Sequence, residues 1–257
     1  MIIYEDKNII VVNKPPGLIV HDAQSGISKS QIPISKQIPN SKFQIPKEKT
    51  LADWLLKKYP EIKSVGENPL RPGIVHRLDK DSSGVLIVAK NQSSFEFLKK
   101  QFAERKVKKT YIALVVGKLK NKTGIINLPI GRSKTPLRRL ASKEARGKLR
   151  EAITEYKVLE SFDIDSTSDV GNGKFTLIEA CPKTGRTHQI RAHFKAIGHP
   201  LACDKLYSKK PACPFGLSRH FLHAYSLELT LPDGSRNRFE ADLPDDLKYV
   251  LMELRNI

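Results

Sequence analysis

An α+β fold with a mixed, largely antiparallel sheet is the class this sequence predicts. Two observations predict it. Short apolar segments of strand character outnumber helical ones. Most neighbouring strands are joined by turn residues rather than by helical crossovers. A third observation narrows the chemistry: no glycine-rich phosphate loop, GxGxxG or GxSxG pattern occurs along the chain.

The elements follow in order. Ile2–Tyr4 and Ile9–Val12, separated by acidic and turn residues, predict a β-hairpin. Pro15, Pro16 and Gly17 force a turn, and an apolar strand is expected to resume at Leu18. Residues 28–49 differ in kind. They carry a loose Gln-Ile-Pro repeat and are rich in Pro, Ser and Lys, which predicts a flexible surface insertion without a packed core. Thr50 is placed to cap a helix through Lys58, with Leu51, Trp54, Leu55 and Tyr59 on one face. Val85–Ala89 is a continuous apolar strand, and Asn91 is placed to cap a helix to about Phe102. Tyr111–Val116, Gly124–Leu128, Ala152–Leu159 and Lys174–Ala180 predict further strands. Thr184 or Thr187 is expected to open a short helix to about Ile197. Phe221–Leu231 and Asn237–Ala241 flank a Pro-Asp-Gly-Ser hairpin turn, and Asp245–Asn256 closes the chain as a helix.

Composition bounds the function. The 257 residues suffice for one sizeable core or two modest ones. The longest apolar runs fall well short of the roughly 18–20 residues that span a bilayer, so no membrane association is expected. The first residues hold acids and no small-residue cleavage site, unlike a secretory signal. Cys181, Cys203 and Cys213 are odd in number and not closely paired, which points to free thiols in a reducing cytosol. The net charge is +18 and unevenly spread. Between Lys99 and Arg150 there are 17 Lys and Arg against two acids, Glu104 and Glu144. Such a stretch attracts polyanions, nucleic acid first, by counterion release; the alternative is a solvated face.

Three segments hold residues fit for chemistry. In GIVHRLDKDSSG, Asp79 lies between Arg77 and Lys80 before a Ser-Ser-Gly turn. It is either a turn aspartate accepting backbone N–H bonds or a carboxylate held ionised by a nearby cation. In KVKKTYIALVVGK, Tyr111 opens a strand after four basic residues, as a core tyrosine or as a ring that stacks on a nucleobase. In CPKTGRTHQIRAHFKAIGHPLACDKLY, a helix would put His188, Arg191 and Lys195 on one stripe, with Arg186 close by. That set suits a carboxylate or a phosphate; an ordinary basic surface helix is the alternative. The histidines and cysteines form neither CxxC nor HExxH, so no metal site is expected.

These three segments, with the opening VVNKPPGLIVH and the late FLHAYSLEL, resemble the RluA-type family of RNA pseudouridine synthases over nearly the whole chain. The resemblance implies the pseudouridine synthase catalytic fold, with two subdomains flanking a cleft. It implies one catalytic domain over residues 1–257, without a separate N-terminal RNA-binding domain. The implied reaction breaks a uridine's glycosidic bond, turns the uracil over and rejoins it through a ring carbon. No redox change or group donor is involved, so no cofactor is expected. The target base must leave its stack.

By the same resemblance, Asp79 is the catalytic carboxylate, either attacking the sugar or removing a sugar proton. Arg191 matches the residue that pairs with it. Tyr111 matches the tyrosine that stacks on the uracil, and Arg77 the arginine that fills the gap left by the flipped base. His76, Arg186, His188 and Gln189 join Arg77 as expected substrate-binding residues, and Lys106, Lys108 and Lys109 as expected RNA contacts. The expected partner is structured RNA, ribosomal large-subunit RNA first and transfer RNA second, for a monomer in the cytoplasm. A basic RNA-binding protein without turnover is the alternative of another class. One departure stands out: the family usually has Gly where this chain has Cys203, which puts the local backbone geometry in question.

Overall fold

The computed structural model describes residues 1–21, 49–133, 138–141, 145–164 and 173–257. The insertion expected at 28–49 therefore lies, but for Lys49, outside the described residues. In chain order the elements are β1 (Ile2–Glu5), β2 (Ile9–Lys14), α1 (Leu51–Lys58), β3 (Ser83–Ala89), α2 (Gln92–Ala103), β4 (Lys108–Val116), β5 (Thr123–Asn127), β6 (Ile130–Arg132), β7 (Arg139–Ala141), β8 (Arg146–Arg150), β9 (Ile153–Ile164), β10 (Gly173–Pro182), α3 (Gln189–Ala196), β11 (Leu222–Thr230), β12 (Arg236–Glu240) and α4 (Asp245–Arg255). The pairs β1–β2, β2–β3, β4–β10, β9–β10, β5–β9, β6–β7 and β6–β8 are antiparallel. The chain divides into two compact units, Met1–Val107 with Glu228–Asp246, and Lys108–Leu227 with Leu247–Ile257.

In the first unit β2 lies between β1 and β3, in a register that pairs Ile9 with Ala89 and Lys14 with Gly84. Ile9 to Val12 and Val85 to Ala89 are all buried. Continuous apolar runs, rather than alternation, mark strands covered on both faces. Leu51 and Leu55 of α1 and Leu98 of α2 add fully buried side chains to this core. Both helices start where the sequence predicts. Thr50 and Asp53 form a reciprocal capping box, and Asn91 accepts from the Ser94 N–H. The strand expected at Leu18 is not one: only Ile19 makes a bridge, to Thr50, because the turn is tied to other backbone groups.

In the second unit the strand order is β4, β10, β9, β5, with the Leu222–Leu227 part of β11 beside β4. Leu114 and Val115 of β4, Ile178 of β10, Ile190 and Phe194 of α3 are buried there. Strands β7, β6 and β8 form a separate three-stranded sheet within the basic stretch. Those strands were not expected, since Arg132, Arg139, Lys148 and Arg150 mask any apolar alternation. The expected helix at Thr184 or Thr187 begins later, at Gln189, with His188 left-handed (φ 55°) just before it. His188 is therefore off the helix, Arg191 is buried and Lys195 is exposed, which dissolves the expected basic stripe. Among the described residues no helix is long and apolar enough to cross a membrane.

Candidate active site

The predicted site residues fall in both units, and each set is held by its own unit. In the first, Gly73 opens the segment that carries Asp79. Its φ is +68°, and a Cβ there would lie 2.2 Å from the Ala89 carbonyl oxygen, so only glycine fits. The Ala89 N–H donates to the Gly73 carbonyl (2.9 Å), and Ile74 bridges Val88, which starts the segment against β3.

His76 fastens its middle. The Ile87 N–H donates to His76 Nε2 (3.0 Å), and the imidazole stacks on Phe102 at 4.6 Å between centroids. Nε2 thus accepts here, and His76, expected at the substrate, serves the backbone of β3 through it. Phe102, near the end of α2, is half-buried against that ring. Leu78 is buried next to Asp79, Arg77 is exposed, and Arg77 Nη1 lies 3.5 Å from His21 Nε2. Asp79 itself is half-buried and opens a turn, its carbonyl accepting from the Ser82 N–H (3.2 Å).

The far end of the turn is fixed by a residue the sequence reading passed over. Lys14 has no exposed surface, and its ammonium donates to the carbonyls of Pro15 (2.8 Å), Leu18 (2.8 Å) and Lys80 (2.9 Å). The Gly17 N–H donates to the same Lys80 carbonyl (2.9 Å). A buried ammonium with three carbonyl acceptors is fully solvated by protein. It ties the Pro-Pro-Gly loop to the residue after Asp79. The available signal was a lysine closing a strand that opens with four apolar residues.

In the second unit Tyr111 sits on β4 opposite Ala180 of β10, half-buried, its ring packed against the cluster around Ala113 and Ile190. Arg191, from α3, is 6% exposed and grips Asp204 with both Nε (2.7 Å) and Nη2 (2.9 Å). The Tyr207 ring lies 5.1 Å from the same guanidinium. Tyr207 Oη accepts from the Arg139 N–H (2.9 Å) and lies 3.3 Å from His188 Nδ1. Asp204 and Tyr207 were also passed over; both lie in the quoted PLACDKLY, which read as a tail to the arginine motif.

Gln189 and Arg186, expected at the substrate, are engaged within this unit. The Gln189 side-chain oxygen accepts from Thr184 Oγ1 (2.7 Å) and the Arg186 N–H (3.0 Å). Its amide nitrogen donates to the Ile153 carbonyl (2.9 Å) and Thr154 Oγ1 (3.0 Å). Those four bonds exhaust its capacity, so Gln189 locks the loop before α3 rather than reaching outward. Arg186 Nε donates to the Glu151 carbonyl (3.0 Å). His193 extends the network, with Nδ1 at 2.9 Å from Thr154 Oγ1 and Nε2 at 2.9 Å from the Leu128 carbonyl. Burial holds its pKa below the ordinary histidine value, and the Leu128 carbonyl opposes this in part. Of the three expected RNA-facing lysines, Lys106 pairs with Glu104 (2.7 Å), Lys108 is exposed, and Lys109 Nζ donates to the Thr184 carbonyl (3.2 Å).

One expectation about the cysteines is overturned. Cys203 and Cys213 form a disulfide. Ten residues of separation hid the pairing, because the chain doubles back: the Cys203 N–H donates to the Ala212 carbonyl (2.7 Å). Cys203 keeps the left-handed backbone (φ 55°) that a glycine would take without strain.

A family model described as RNA pseudouridylate synthase matches residues 8–196, and the chain belongs to that family. It is 38% identical to the ribosomal large subunit pseudouridine synthase D of Nitrosomonas europaea, over 100% of this chain and 65% of that protein. It is 36% identical to the protein of the same name from Borreliella burgdorferi, over 95% of this chain and 65% of the relative. The chain thus spans just under two thirds of the length of these relatives. The solved human RNA pseudouridylate synthase domain containing 1 shares the fold, with TM-score 0.67 and 24% identity, covering 100% of this chain and 94% of that one.

Proposed function

We propose that the protein is an RNA pseudouridine synthase that isomerises specific uridines in structured RNA, with large-subunit ribosomal RNA as substrate. Membership of the family carries this reading, and the names of the similar proteins from Nitrosomonas europaea and Borreliella burgdorferi favour the ribosomal substrate over transfer RNA. The two units act as one catalytic domain, as a monomer in the cytoplasm.

The chemistry asks for one carboxylate at the anomeric carbon, a surface for the detached base and a counter-charge. Asp79 supplies the carboxylate. Its segment is pinned at both ends, by Gly73 and by the carbonyl of Lys80, which limits its drift. Tyr111 supplies the ring against the uracil. Arg191 supplies the positive counter-charge for the reacting carboxylate. Arg77, exposed beside Asp79, enters the space left by the flipped base. The atoms of product and substrate are the same, so no donor or redox partner is called for.

The test is turnover by purified protein on transcripts of large-subunit ribosomal RNA and of transfer RNA, in EDTA, with pseudouridine mapped by carbodiimide adduct stops. Modification of discrete uridines in the ribosomal transcript is expected. Modification confined to transfer RNA would move the substrate to the second class. Binding without modification of either would leave only a basic RNA-binding protein.

A further inference from the structure

We propose that Asp204 is a positioning residue for the reaction: it orients the Arg191 guanidinium and links α3 to the strand that carries Tyr111. The inference rests on the reading of Arg191 as the charge partner of the reacting carboxylate.

The geometry of the carboxylate carries it. The Asp204 side chain has no exposed surface and its partner arginine's has 8%. Both Asp204 oxygens are committed to Arg191, one to Nε and one to Nη2, which fixes the plane of the guanidinium as well as its place. Oδ1 also accepts from the N–H groups of Leu206 and Tyr207, each at 3.2 Å. Asp204 is therefore bound to its own turn and cannot follow the arginine if that side chain swings.

The turn is anchored in three ways. The Ala202 N–H donates to the Leu114 carbonyl (2.8 Å), the Val116 N–H donates to the Pro200 carbonyl (2.9 Å), and Leu201 bridges Val115. All three join residues 200–202 to β4, three to five residues beyond Tyr111. The disulfide at Cys203 holds the neighbouring residue covalently. Tyr207, at the end of the turn, lays its ring 5.1 Å from the guanidinium. The frame from Tyr111 through β4, residues 200–204 and Asp204 to Arg191 is thus continuous. Asp204 bonds the guanidinium in two places within it. Ion pairing alone would need no such frame, since a solvated carboxylate holds an arginine's charge but not its plane.

The test is a double-substitution cycle on the full chain, reading single-turnover rate and RNA affinity separately. Asp204→Asn keeps the shape and an acceptor for the turn but loses the charge and one guanidinium bond. The expected rate loss is about a hundredfold, the scale of a misplaced reacting group, with RNA affinity changed less than threefold. Arg191→Lys should lose as much or more, since lysine cannot make the fork. The double variant should be no slower than Arg191→Lys alone, because Asp204 acts through that residue. Multiplied losses in the double variant, or an Asp204→Asn rate equal to wild type, would overturn the inference. If Arg191→Lys itself turns over like wild type, the role given to Arg191 fails instead. Should Asp204→Asn lack a cooperative melting transition, Asp204→Glu decides. It keeps the charge one methylene too far away, and it should melt like wild type yet turn over at least tenfold more slowly.

Discussion

The Asp79 segment and the Arg191 cradle are fixed by opposite means. Asp79 lies on a half-exposed run of chain held through its backbone carbonyls at Gly73 and Lys80 and through the His76 imidazole. The bonds that fix it go from buried donors to backbone carbonyls, from Lys14 to Lys80 and from the Ala89 N–H to Gly73, with His76 receiving the Ile87 N–H. Arg191 is buried and held by side chains, with Asp204 on its fork and Tyr207 beside its plane. The difference teaches where each is vulnerable. The carboxylate's placement depends on backbone accounting, and the arginine's on one buried ion pair.

Breaking the first arrangement should have the largest effect on folding. Lys14→Met removes the ammonium and leaves the Pro15 and Leu18 carbonyls without that donor, while the Lys80 carbonyl keeps the Gly17 N–H. Each orphaned carbonyl costs about 1–3 kcal/mol, so the first unit should lose at least about 2 kcal/mol in urea unfolding. The variant should also turn over poorly even where it remains folded, because the Lys80 carbonyl adjoins Asp79. Wild-type stability would show that Pro-Pro-Gly holds the loop unaided.

The second arrangement is sharpened by reduction. The Cys203–Cys213 bond closes a short loop, and loop-closure entropy for such a length is worth about 3 kcal/mol. Dithiothreitol should lower the melting temperature of wild type and leave a Cys203→Gly, Cys213→Ser variant unmoved. Restoring glycine should recover part of the loss, since φ 55° costs a side chain about 1 kcal/mol. Equal melting with and without reductant would remove the disulfide from the account.

Acid should loosen the cradle next. The folded pKa of His193 is depressed, so the folded state binds fewer protons than the unfolded chain below about pH 6.5. Its contribution is whole above that value and is lost as pH falls toward the folded pKa, by up to about 1.4 kcal/mol per unit. Melting of wild type should therefore drop between pH 7 and pH 5.5 more steeply than that of His193→Gln. Parallel slopes would contradict the burial argument. The smallest effect belongs to the surface: Lys108→Ala should weaken RNA binding only slightly and reduce the salt slope by about one. A larger effect from Lys109, whose ammonium serves the Thr184 carbonyl, would reflect folding instead.

Much of the fold was legible because its signals are local. Thr50 and Asn91 cap the helices they were expected to cap, and the apolar runs at Ile9 and Val85 form the buried strands. The strands β6 to β8 were not, since their pairing is long-range and their residues basic. The contiguous motifs exposed Asp79, Tyr111 and Arg191 as candidates. What holds them was hidden by distance or by ambiguity of residue type. Lys14 is 66 residues from Lys80, whose carbonyl is one of the three it binds, and Gln189 looks as fit for a substrate as for the buried network it completes. The Cys203–Cys213 pair was hidden for the same reason, because a chain reversal is not written in cysteine spacing.

The central claim is that Asp79 is the reacting carboxylate, and Asp79→Asn tests it most directly. Single-turnover pseudouridine formation on a large-subunit ribosomal transcript should fall by at least about 10³-fold, with RNA affinity and melting temperature close to wild type. Appreciable turnover by the folded variant would contradict the assignment.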